Sequence, residues 1–486
     1  MQSGKRGLET GMNNNSMKCN KICGRLCVEL KGHLASPLSI SSGEQEETDA
    51  DVILDERGFP MIPGSSLAGV LLNYSREFES EKELSRLFGM QEERKHGTHS
   101  DRQSRIFCYD TILENANAGI RDGVKLGENK TPEQHSKYEM QIVERDAPFR
   151  MRIEIIQRQE CLAEGGTIEE AWNLDMLRIR RWFQGFQTGE LRIGGKANRG
   201  YGKLDIESAR IKKFYMEDAK EYRKWLDWHW DDTDAFAEAE SVELINAVDE
   251  HARTEHVLEV PLHIPYTLLV RSYSTAFTKK DSLPDYGQLT VNGEGEQAVI
   301  PGTSLAGAFR SQIAKNVNRI AHLNSWEAAQ KKLEPFFGTW VTNQNHEEDL
   351  LPSKIIFEEM KIDGGHGLTM TRNAIDRFTG GTVEGALFEE TPWAGGSALL
   401  RIRWKKENRD HDAICGLLLW AVMDLQSGIL PIGGETAIGR GIFCGADGKM
   451  PDIQLDGNTL DEKKKEEYMR AAAMWCKGEK NGTAER

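Results

Sequence analysis

The sequence lacks the long apolar runs and the clustered cysteines that would indicate a membrane protein or a disulfide-rich secreted one. Its most apolar stretch, Cys415 to Met423, is far too short to cross a bilayer. Residues 1–17 contain no apolar core of the kind that a signal peptide needs. Eight cysteines are spread over 486 residues without dense spacing, which favours reduced thiols. We therefore predict a soluble, cytoplasmic protein without a membrane partner.

Acidic residues outnumber basic ones and give the chain a net charge of −15. This total bears on solubility, whereas nucleic-acid binding depends on local patches, so an RNA partner is not excluded. Part of the excess lies in residues 217–250, which also carry Trp225, Trp228 and Trp230. We predict that residues 213–254 form an acidic, helical linker that joins two domains and belongs to neither.

Two motifs occur twice, in the same order and at nearly the same separation. Ile62–Gly69 reads IPGSSLAG and Ile300–Gly307 reads IPGTSLAG. Leu191–Gly195 reads LRIGG and returns as LPIGG at Leu430–Gly434. Such repetition is typical of a duplicated domain, and the chain is long enough for two. The predicted segments are a disordered tail over 1–18, a first domain over 19–212, the linker over 213–254, a second domain over 255–450 and a charged tail over 451–486.

The two halves show the same order of predicted strands and helices. Each begins with an alternating strand, at residues 25–30 and 256–264, and a helical pattern follows each Pro-Gly motif. A long insertion comes next, at residues 118–143 and 371–391, and a further helix leads into each Gly-Gly motif. This order suits a split βαβ sheet. The predicted fold class is α+β, with two tandem ferredoxin-like domains.

Both motif types can bind an anion through the backbone. Pro-Gly-Ser/Thr-Ser places free N–H groups and two hydroxyls at the start of a helix, where the helix dipole attracts phosphate. A simple helix N-cap explains one isolated copy better, but two motif types in two copies each favour a shared binding surface. The Gly-rich loops can approach a polyanion closely, although neither has the order of a nucleotide-binding fingerprint, and we expect no organic cofactor. The predicted contact residues are Gly64, Ser65, Ser66, Gly194, Gly195, Lys196, Arg199, Gly302, Thr303, Ser304, Gly433, Gly434 and Arg440.

Together these motifs resemble the RAMP superfamily of CRISPR-associated proteins, in particular the backbone subunits of type III effector complexes. Members carry Ile-Pro-Gly-Ser-Ser-Leu-Lys-Gly and a terminal Gly-rich loop on a ferredoxin-like core. Residues 372–388 are similar to the family's thumb insertion, and Arg121–Val124 with Glu139 fall in the corresponding region of the first half. The chain looks like two backbone subunits fused in one polypeptide, as in some type III-D systems.

The resemblance implies that each half binds guide RNA (crRNA) and that the chain contacts other type III subunits, including further RAMP proteins and the large subunit. The thumbs, with Arg372 and Arg377 as anchors in the second half, would interrupt the duplex of guide RNA and target RNA.

The sequence departs from the family pattern inside the Pro-Gly motif. The family's lysine is alanine in both copies, at Ala68 and Ala306. Its arginine three residues after the motif is kept as Arg310, which the resemblance implies to be RNA-binding, but is Leu72 in the first half. We therefore expect that phosphate contact at this helix is weaker in the first half or is supplied by other groups.

In catalytically active family members, an aspartate before the Pro-Gly motif supports cleavage of target RNA. Asp49 and Asp285 align best with it, with Asp51 and Asp281 in reserve. RNA supplies its own nucleophile, the 2′-hydroxyl, so the protein must hold one nucleotide for in-line attack. A carboxylate with a pKa of about 4 is a weak base at neutral pH, so recruitment of Mg²⁺ is at least as reasonable as proton abstraction. The resemblance thus implies a metal-dependent endoribonuclease with two sites, one per domain.

Other interpretations remain open. Aspartates are common in loops, and a non-catalytic scaffold that binds guide RNA and neighbouring subunits fits the same motifs. Processing of precursor guide RNA would need a base near a Gly-rich loop, where Lys196 is the nearby candidate. A zinc site needs four converging ligands, and spare or buried thiols explain the first cysteines better. The residues considered for zinc are Cys19, Cys23, Cys27, His96, His99 and Cys108.

Overall fold

The computed structural model of the chain describes residues 21–41, 43, 48–89, 91–93, 99–101, 103–159, 162, 166–232, 234–236, 240–241, 254–273, 285–291, 297–340, 350–406, 408–445 and 452–478. The predicted N-terminal tail, Cys19, His96 and Asp281 lie outside these residues. Within them, no helix is both long and apolar enough to span a membrane.

The first half folds around one antiparallel sheet. Its elements are β1 (Ile22–Leu34), β2 (Met61–Ile62), α1 (Gly64–Ser75), α2 (Glu81–Phe88), β3 (Gln91–Glu93), β4 (His99–Asp101), β5 (Ile106–Cys108), β6 (Thr111–Ile112), β7 (Ala118–Leu126), β8 (Pro132–Val143), β9 (Pro148–Arg158), α3 (Ile168–Thr188), β10 (Leu204–Tyr215), α4 (Ala219–Asp227) and β11 (Glu240–Ser241). The strand order is β11-β10-β1-β9-β5. With α1 and α3 as the connecting helices, this order fits a ferredoxin-like sheet. Leu26, Val28 and Leu30 alternate along β1 and are buried in the first core, because successive strand side chains point to opposite faces.

The second half repeats this arrangement. Its elements are β12 (Glu255–His263), β13 (Thr267–Leu268), β14 (Arg271–Tyr273), β15 (Tyr286–Gln288), β16 (Thr290–Val291), β17 (Gln297–Ile300), α5 (Gly302–Ile320), α6 (Trp326–Lys332), α7 (Glu334–Phe337), β18 (Ile355–Phe357), β19 (Met360–Asp363), β20 (His366–Gly367), β21 (Met370–Ile375), β22 (Thr382–Thr391), β23 (Trp393–Ala394), β24 (Ser397–Lys405), α8 (His411–Gln426), β25 (Gln454–Leu455), β26 (Asn458–Thr459) and α9 (Glu462–Lys477). Strand β12 lies between β24 and β25, and β18 pairs with β24. Strands β1, β5 and β9 therefore correspond to β12, β18 and β24.

Both predicted insertions are β-hairpins, which we call the thumbs. The first thumb is β7 and β8, and the second is β21 and β22, each an antiparallel pair. Asp122 faces Glu139 across the first thumb, and Thr371 faces Glu389 across the second.

The segment predicted as a helical linker that is packed on one side and belongs to neither domain packs, in its described part, against the first sheet. Only α4 is helical, and the residues after it lie on the outer face of the sheet. The Trp228 ring lies 5.4 Å from the Phe214 ring, and Asp231 pairs with Arg150 at 2.8 Å. The aromatic rings cover sheet surface that would otherwise meet water, which the acidic composition alone did not indicate.

The segment predicted as a charged tail is, in its described part, a component of the second domain, because its helix α9 packs into the second core. Ala472 and Cys476 of α9 are buried in the same cluster as Leu258 of β12. The many charges of α9 lie on its other faces, so the short helix expected in this charged run is amphipathic.

The halves meet where the first Gly-rich loop packs against the second half. A Cβ atom at Gly302 would lie 2.2 Å from the carbonyl oxygens of both Arg199 and Phe357. One at Gly200 would lie 2.7 Å from the Phe357 oxygen. Only glycine allows such approaches, so the first Gly-rich loop and the second Pro-Gly motif are in direct contact.

A buried carboxylate at this junction binds cations from both halves. Glu358 Oε1 accepts hydrogen bonds from Arg192 Nη2 at 2.8 Å and from Arg403 Nε at 2.6 Å. Lys203 Nζ lies 3.8 Å from Oε2. Burial favours a raised pKa for Glu358, but the neighbouring cations outweigh it and hold the pKa well below its usual range.

Candidate RNA interface and cleavage sites

The two Gly-rich loops have one backbone conformation. Each contains a short 3₁₀ turn, at Ala197–Arg199 and Thr436–Ile438. The residue before each turn has a left-handed backbone, with φ of 54° at Lys196 and 55° at Glu435. Lys196 therefore corresponds to Glu435, and the charge at this position is reversed between the halves.

The anchoring of the loops is also repeated. Gly195 N–H donates to the Ser39 carbonyl oxygen and Gly434 N–H to that of Leu269, both at 2.7 Å. At the preceding residues, Gly194 and Gly433, a Cβ atom would approach the same two oxygens to 2.4 and 2.5 Å. Gly194 and Gly433 are thus required by the packing of the loops, which is a structural role alongside the predicted contact with RNA.

Arg440 does not correspond to Arg199, although both precede a glycine. The loop conformation places Ile438 at the position of Arg199 and Arg440 at that of Tyr201. Arg440 is buried and pairs with Glu390 and with Glu435, the latter at 3.2 Å. Its prediction as an RNA-binding residue is therefore corrected: it connects the second Gly-rich loop to the second thumb.

Arg372 takes part in the same buried network. Its Nε lies 3.0 Å from Glu390 Oε1, and Arg271 Nη2 lies 3.1 Å from Glu435 Oε1. These arginines neutralise Glu435, and the second loop has no lysine where the first has Lys196. We infer that the second loop does not bind phosphate in the way that the first can.

A concave surface at the junction combines residues of both halves, and we call it the junction groove. It is lined by Arg121, Tyr138 and Lys196 from the first half and by Arg271, Thr303 and Ser304 from the second. Lys196 Nζ lies 4.3 Å from the centroid of the Tyr138 ring. The predicted phosphate contacts of two different repeats are thus brought together here, where the sequence had predicted one separate site in each half.

The N-termini of α1 and α5 differ in their capping. Gly64 N–H, at the start of α1, donates to Asp110 Oδ1 at 2.7 Å, so a carboxylate already occupies this position. The corresponding acid of the second half is Glu359, two residues after β18 as Asp110 is two after β5. Glu359 instead pairs with Arg145 of the first half at 2.5 Å, and Pro301 gives α5 no side-chain cap. The N-terminus of α5 is therefore the better of the two for an anion.

The hydroxyls of the first Pro-Gly motif remain accessible. Ser65 is exposed and Ser66 is half-buried, while Gly64 is buried. No Gly-rich loop of this chain packs on α1 as the first loop packs on α5, within the residues described.

Arg310 lies inside the second half and does not line the junction groove. Its Nε donates to Gln330 Oε1 at 2.7 Å and its Nη1 to the Phe337 carbonyl oxygen at 3.1 Å. Burial lowers the pKa of Arg310 to about 10. Arg310 was predicted to contact phosphate, but in the structure it connects α5 to α6 and α7 beneath the groove.

Asp49 and Asp285 occupy equivalent positions beside the two thumbs. Asp49 N–H donates to the Glu139 carbonyl oxygen, and Glu139 N–H donates back to Asp49 Oδ2 at 2.8 Å. Asp285 makes the same two bonds with Glu389, each at 3.0 Å. Both aspartates are exposed. The loop that carries each aspartate is thus fixed to its thumb, and one oxygen of each carboxylate accepts a hydrogen bond from a backbone N–H group of the thumb.

The family of the chain follows from this repeated arrangement and from a sequence comparison. The model of the RAMP superfamily matches residues 33–205 and 287–444, which together are more than half of the chain. The chain belongs to the RAMP superfamily. One matched region lies in each half of the chain, and membership supports a CRISPR-associated, RNA-binding subunit. No curated protein matches the sequence.

The reserve candidate Asp51 has a different role in this RAMP protein. It is 9% exposed, and its Oδ1 accepts from Thr48 N–H at 2.9 Å and from Thr48 Oγ1 at 2.8 Å. Asp51 therefore shapes the loop that carries Asp49.

The carboxylates beside the thumbs fit a magnesium ion only in part. Asp49 lies beside Glu139, and Asp285 beside Glu389, which gives two carboxylates per half. Among the described residues, no group of three His, Cys, Asp or Glu side chains could hold a metal ion. Mg²⁺ is commonly bound by one or two carboxylates together with substrate phosphates. The residues thus fit an ion shared with RNA, and the zinc interpretation gains no support from the described cysteines.

The second thumb of this RAMP protein ends in an exposed turn. Phe378 is 99% exposed, and Arg377 beside it is also exposed. Asp376 Oδ1 accepts from the N–H groups of Phe378 and Thr379, both at 2.8 Å, and so shapes the turn. Arg377 stays a prediction as a thumb anchor, whereas the junction residues Tyr138 and Arg271 belong to no motif and were not predicted.

Proposed function

We propose that this chain is a double backbone subunit of a type III CRISPR ribonucleoprotein, of the III-D kind, which binds guide RNA and cleaves target RNA at two positions. The observation that carries the proposal is the identical attachment of Asp49 and Asp285 to the two thumbs. These reciprocal backbone bonds hold the two carboxylates at equivalent positions beside the two thumbs. The same arrangement twice in one chain fits two sites separated by one structural repeat.

Guide RNA would be held chiefly at the junction groove. Lys196 supplies a positive charge, and the N-terminus of α5 supplies backbone N–H groups with the hydroxyls of Thr303 and Ser304. Contacts of this kind are made to phosphates, so binding would be largely independent of base sequence.

Replacing Lys196 with glutamate, the residue that the second half has at this position, is expected to weaken binding of guide RNA. The slope of the logarithm of the association constant against the logarithm of salt concentration should fall by about one or more, since one phosphate contact is lost. Titration of the purified chain with guide RNA at several salt concentrations measures this. Lys464→Glu on α9, where the lysine pairs with Glu467 at 3.1 Å, is the control. Equal slopes for both variants would contradict the proposed binding of guide RNA at the junction groove.

Cleavage would use the RNA's own 2′-hydroxyl. Its oxygen attacks the adjacent phosphorus and the bond from phosphorus to the 5′-oxygen breaks. The departing 5′-oxygen takes a proton from water, so a 2′,3′-cyclic phosphate and a 5′-hydroxyl result. Asp49 or Asp285 is placed to accept the 2′ proton or to help hold Mg²⁺ with Glu139 or Glu389. A bound Mg²⁺ would neutralise charge on the phosphate. The thumbs would hold the attacked nucleotide away from the guide so that the attack is in line.

The proposal is tested by mixing the reconstituted complex with complementary target RNA, with unrelated RNA and with unprocessed guide RNA, each with and without chelator. Two cleavages confined to complementary RNA, and lost in the Asp49→Ala/Asp285→Ala double variant, would support it. Intact target with guide RNA still bound would favour the scaffold. Cleavage of the unprocessed guide alone would favour guide processing.

A neighbouring RAMP domain would bind the second Gly-rich loop. In the first half, Gly200 of this loop is buried against the second half. Its counterpart Gly439 has no atom within 4 Å of a Cβ position among the described residues, and Ile438 is 53% exposed. The second Gly-rich loop is thus exposed at the position where the first Gly-rich loop is covered by the second half. This difference fits head-to-tail assembly, in which another subunit covers the second loop.

Ile438→Asp is expected to remove this neighbour from the complex, because a charge would be buried in the interface. Native mass measurement of the co-expressed subunits tests this. Ile429→Asp is the matched control, since Ile429 is also exposed but lies outside the loop. Unchanged assembly of the Ile438 variant would contradict the proposed interface.

A further inference from the structure

The residues that follow α4 lie on the outer face of the first sheet, and we call residues 228–232 and 234–236 the strap. The Trp230 ring lies 5.6 Å from the Tyr109 ring, in an edge-to-face arrangement. Asp231 of the strap pairs with two arginines of β9, one of them at 2.8 Å. The strap is thus held on this face by an aromatic contact and by ion pairs.

The place that Trp230 covers on the first sheet corresponds to the place where the second sheet meets the first half. Tyr109 N–H donates to the Arg152 carbonyl oxygen at 3.1 Å, and Glu358 N–H donates to that of Arg401 at 3.2 Å. Because these backbone bonds are the same, Tyr109 and Glu358 are equivalent residues of the two repeats. Glu358 is the carboxylate that pairs with cations of the first half. The strap therefore lies on the first sheet where the preceding repeat lies on the second.

The face beside the strap is aromatic and partly exposed. Phe107 and Tyr109 lie two residues apart and point to the same side, and they are 37% and 39% exposed. Their counterparts on the second sheet are Ile356 and Glu358. Both face the first half, because Ile356 lines a cleft between the halves and Glu358 pairs with Arg192 at 2.8 Å. A preceding repeat would thus meet aromatic rings on the first sheet where it meets a carboxylate on the second.

The second half is apolar at the two positions from which the first half contacts Glu358. The motifs LRIGG and LPIGG place Pro431 at the position of Arg192. The last glycines of the two Gly-rich loops are also equivalent, because a Cβ atom on them would lie 1.8 and 1.9 Å from the carbonyl oxygen of the isoleucine in each motif. The residues that follow these glycines, Lys203 and Ile442, are therefore equivalent. Apolar side chains form no ion pair with a carboxylate, but they pack well against aromatic rings.

We propose that the face of Phe107 and Tyr109 can bind the second Gly-rich loop of another copy of this chain, and that the strap blocks this contact. The second loop brings Pro431 and Ile442, which match the aromatic rings. While Trp230 lies on Tyr109, a second copy cannot dock, so the row of RAMP domains ends at the first half. The second loop is then left for a different subunit. This inference rests on the proposed binding of a neighbouring RAMP domain at the second Gly-rich loop.

Without the strap, the chain would polymerise. A contact between the second half of one copy and the first half of the next is heterologous, so it repeats from copy to copy and builds an open filament unless the rotation closes a ring. The strap can be released while the sheet stays intact, because the side chain of Asp231 is 72% exposed and exposed ion pairs contribute little to stability.

Charge reversal at Asp231 tests the proposal. Asp231→Arg turns two ion pairs of the strap into repulsive contacts, and Trp230→Ala removes the ring that lies on Tyr109. Mass photometry and sedimentation velocity of the purified full chain measure self-association. We expect the wild type to remain a monomer and both variants to form dimers and longer series, with an apparent Kd lower by about tenfold or more. Asp227→Arg, the same charge change at the exposed end of α4, is the control and should remain a monomer.

Two further measurements identify the contact. Asp231→Arg combined with Ile438→Asp should return the chain to the monomer, because Ile438 lies in the second Gly-rich loop. In the Ile438→Asp background, hydrogen exchange of the backbone amides of residues 228–232 should be faster in both strap variants, which reports release of the strap independently of association.

The outcomes separate this inference from the proposed function. If the strap is released but neither variant associates, the docking face is overturned, and the proposed neighbour is still judged by Ile438→Asp in the complex of co-expressed subunits. If exchange is unchanged in both variants, or if the wild type associates as strongly as they do, the strap does not block the face. Association that Ile438→Asp fails to reverse would place the contact elsewhere and would also overturn the inference.

Discussion

Alanine in place of Asp285 is expected to remove one of the two target-RNA products and to leave the other, and alanine in place of Asp49 is expected to do the converse. Each substitution removes the proposed catalytic carboxylate and the acceptor of the thumb N–H group. Positioned acid–base groups contribute roughly 10²- to 10⁴-fold to a rate, so cleavage at the affected position should fall by about 100-fold or more. The initial rate of each product, resolved on a sequencing gel, measures this.

Asparagine variants separate charge from position. Asp285→Asn keeps an oxygen that can accept from Glu389 N–H, so the loop should stay attached to the thumb while the negative charge is lost. We expect it to be nearly as inactive at its site as the alanine variant. Asp412→Asn is the control, because Asp412 lies on α8, belongs to neither thumb and has a 57% exposed side chain, so both products should stay unchanged. Wild-type rates for both Asp49→Asn and Asp285→Asn would contradict a role for the carboxylate charge.

The sequence predicted the repeated architecture well because its strongest signals are local. A proline followed by glycine at a helix start, and glycines with positive φ in a loop, are demands of the backbone that recur wherever the same fold recurs. The thumbs, the equivalence of Asp49 with Asp285 and the two sheets were therefore predictable from the order of motifs.

The charges of the site were less predictable, because they depend on partners that are distant in the chain. Arg310 was interpreted as a phosphate contact, but Gln330 and the Phe337 carbonyl group bind its guanidinium inside the core. Arg440 was predicted as an RNA contact, but it pairs with Glu390 and Glu435 inside the fold. Contacts between the halves carry no motif, so the junction groove could not be foreseen.

Contacts between the two halves also hold together the two sides of the junction groove. Replacing Glu358 with alanine is expected to destabilise the docking of the two halves by about 3–5 kcal/mol, because Arg192, Arg403 and Lys203 would be left as buried cations without their shared carboxylate. Urea unfolding of the full chain at pH 7, followed by tryptophan fluorescence, should show an earlier transition. Binding of guide RNA should weaken in parallel, since Lys196 and the N-terminus of α5 come from different halves.

An exposed ion pair provides the control for Glu358. Glu462, whose side chain is 85% exposed, pairs with Lys465 at 2.7 Å, and Glu462→Ala should change the free energy of unfolding by less than about 1 kcal/mol.

The contribution of Glu358 to the free energy of unfolding depends on pH with a definite sign. Because the pKa of Glu358 is depressed in the folded chain, its contribution is complete above the usual value of 4.5 and is lost as the pH falls towards the folded value. The difference between wild type and Glu358→Ala should therefore be constant from pH 6 to 8 and shrink in acid. A difference that vanishes already at pH 7 would show that this carboxylate does not hold the halves together.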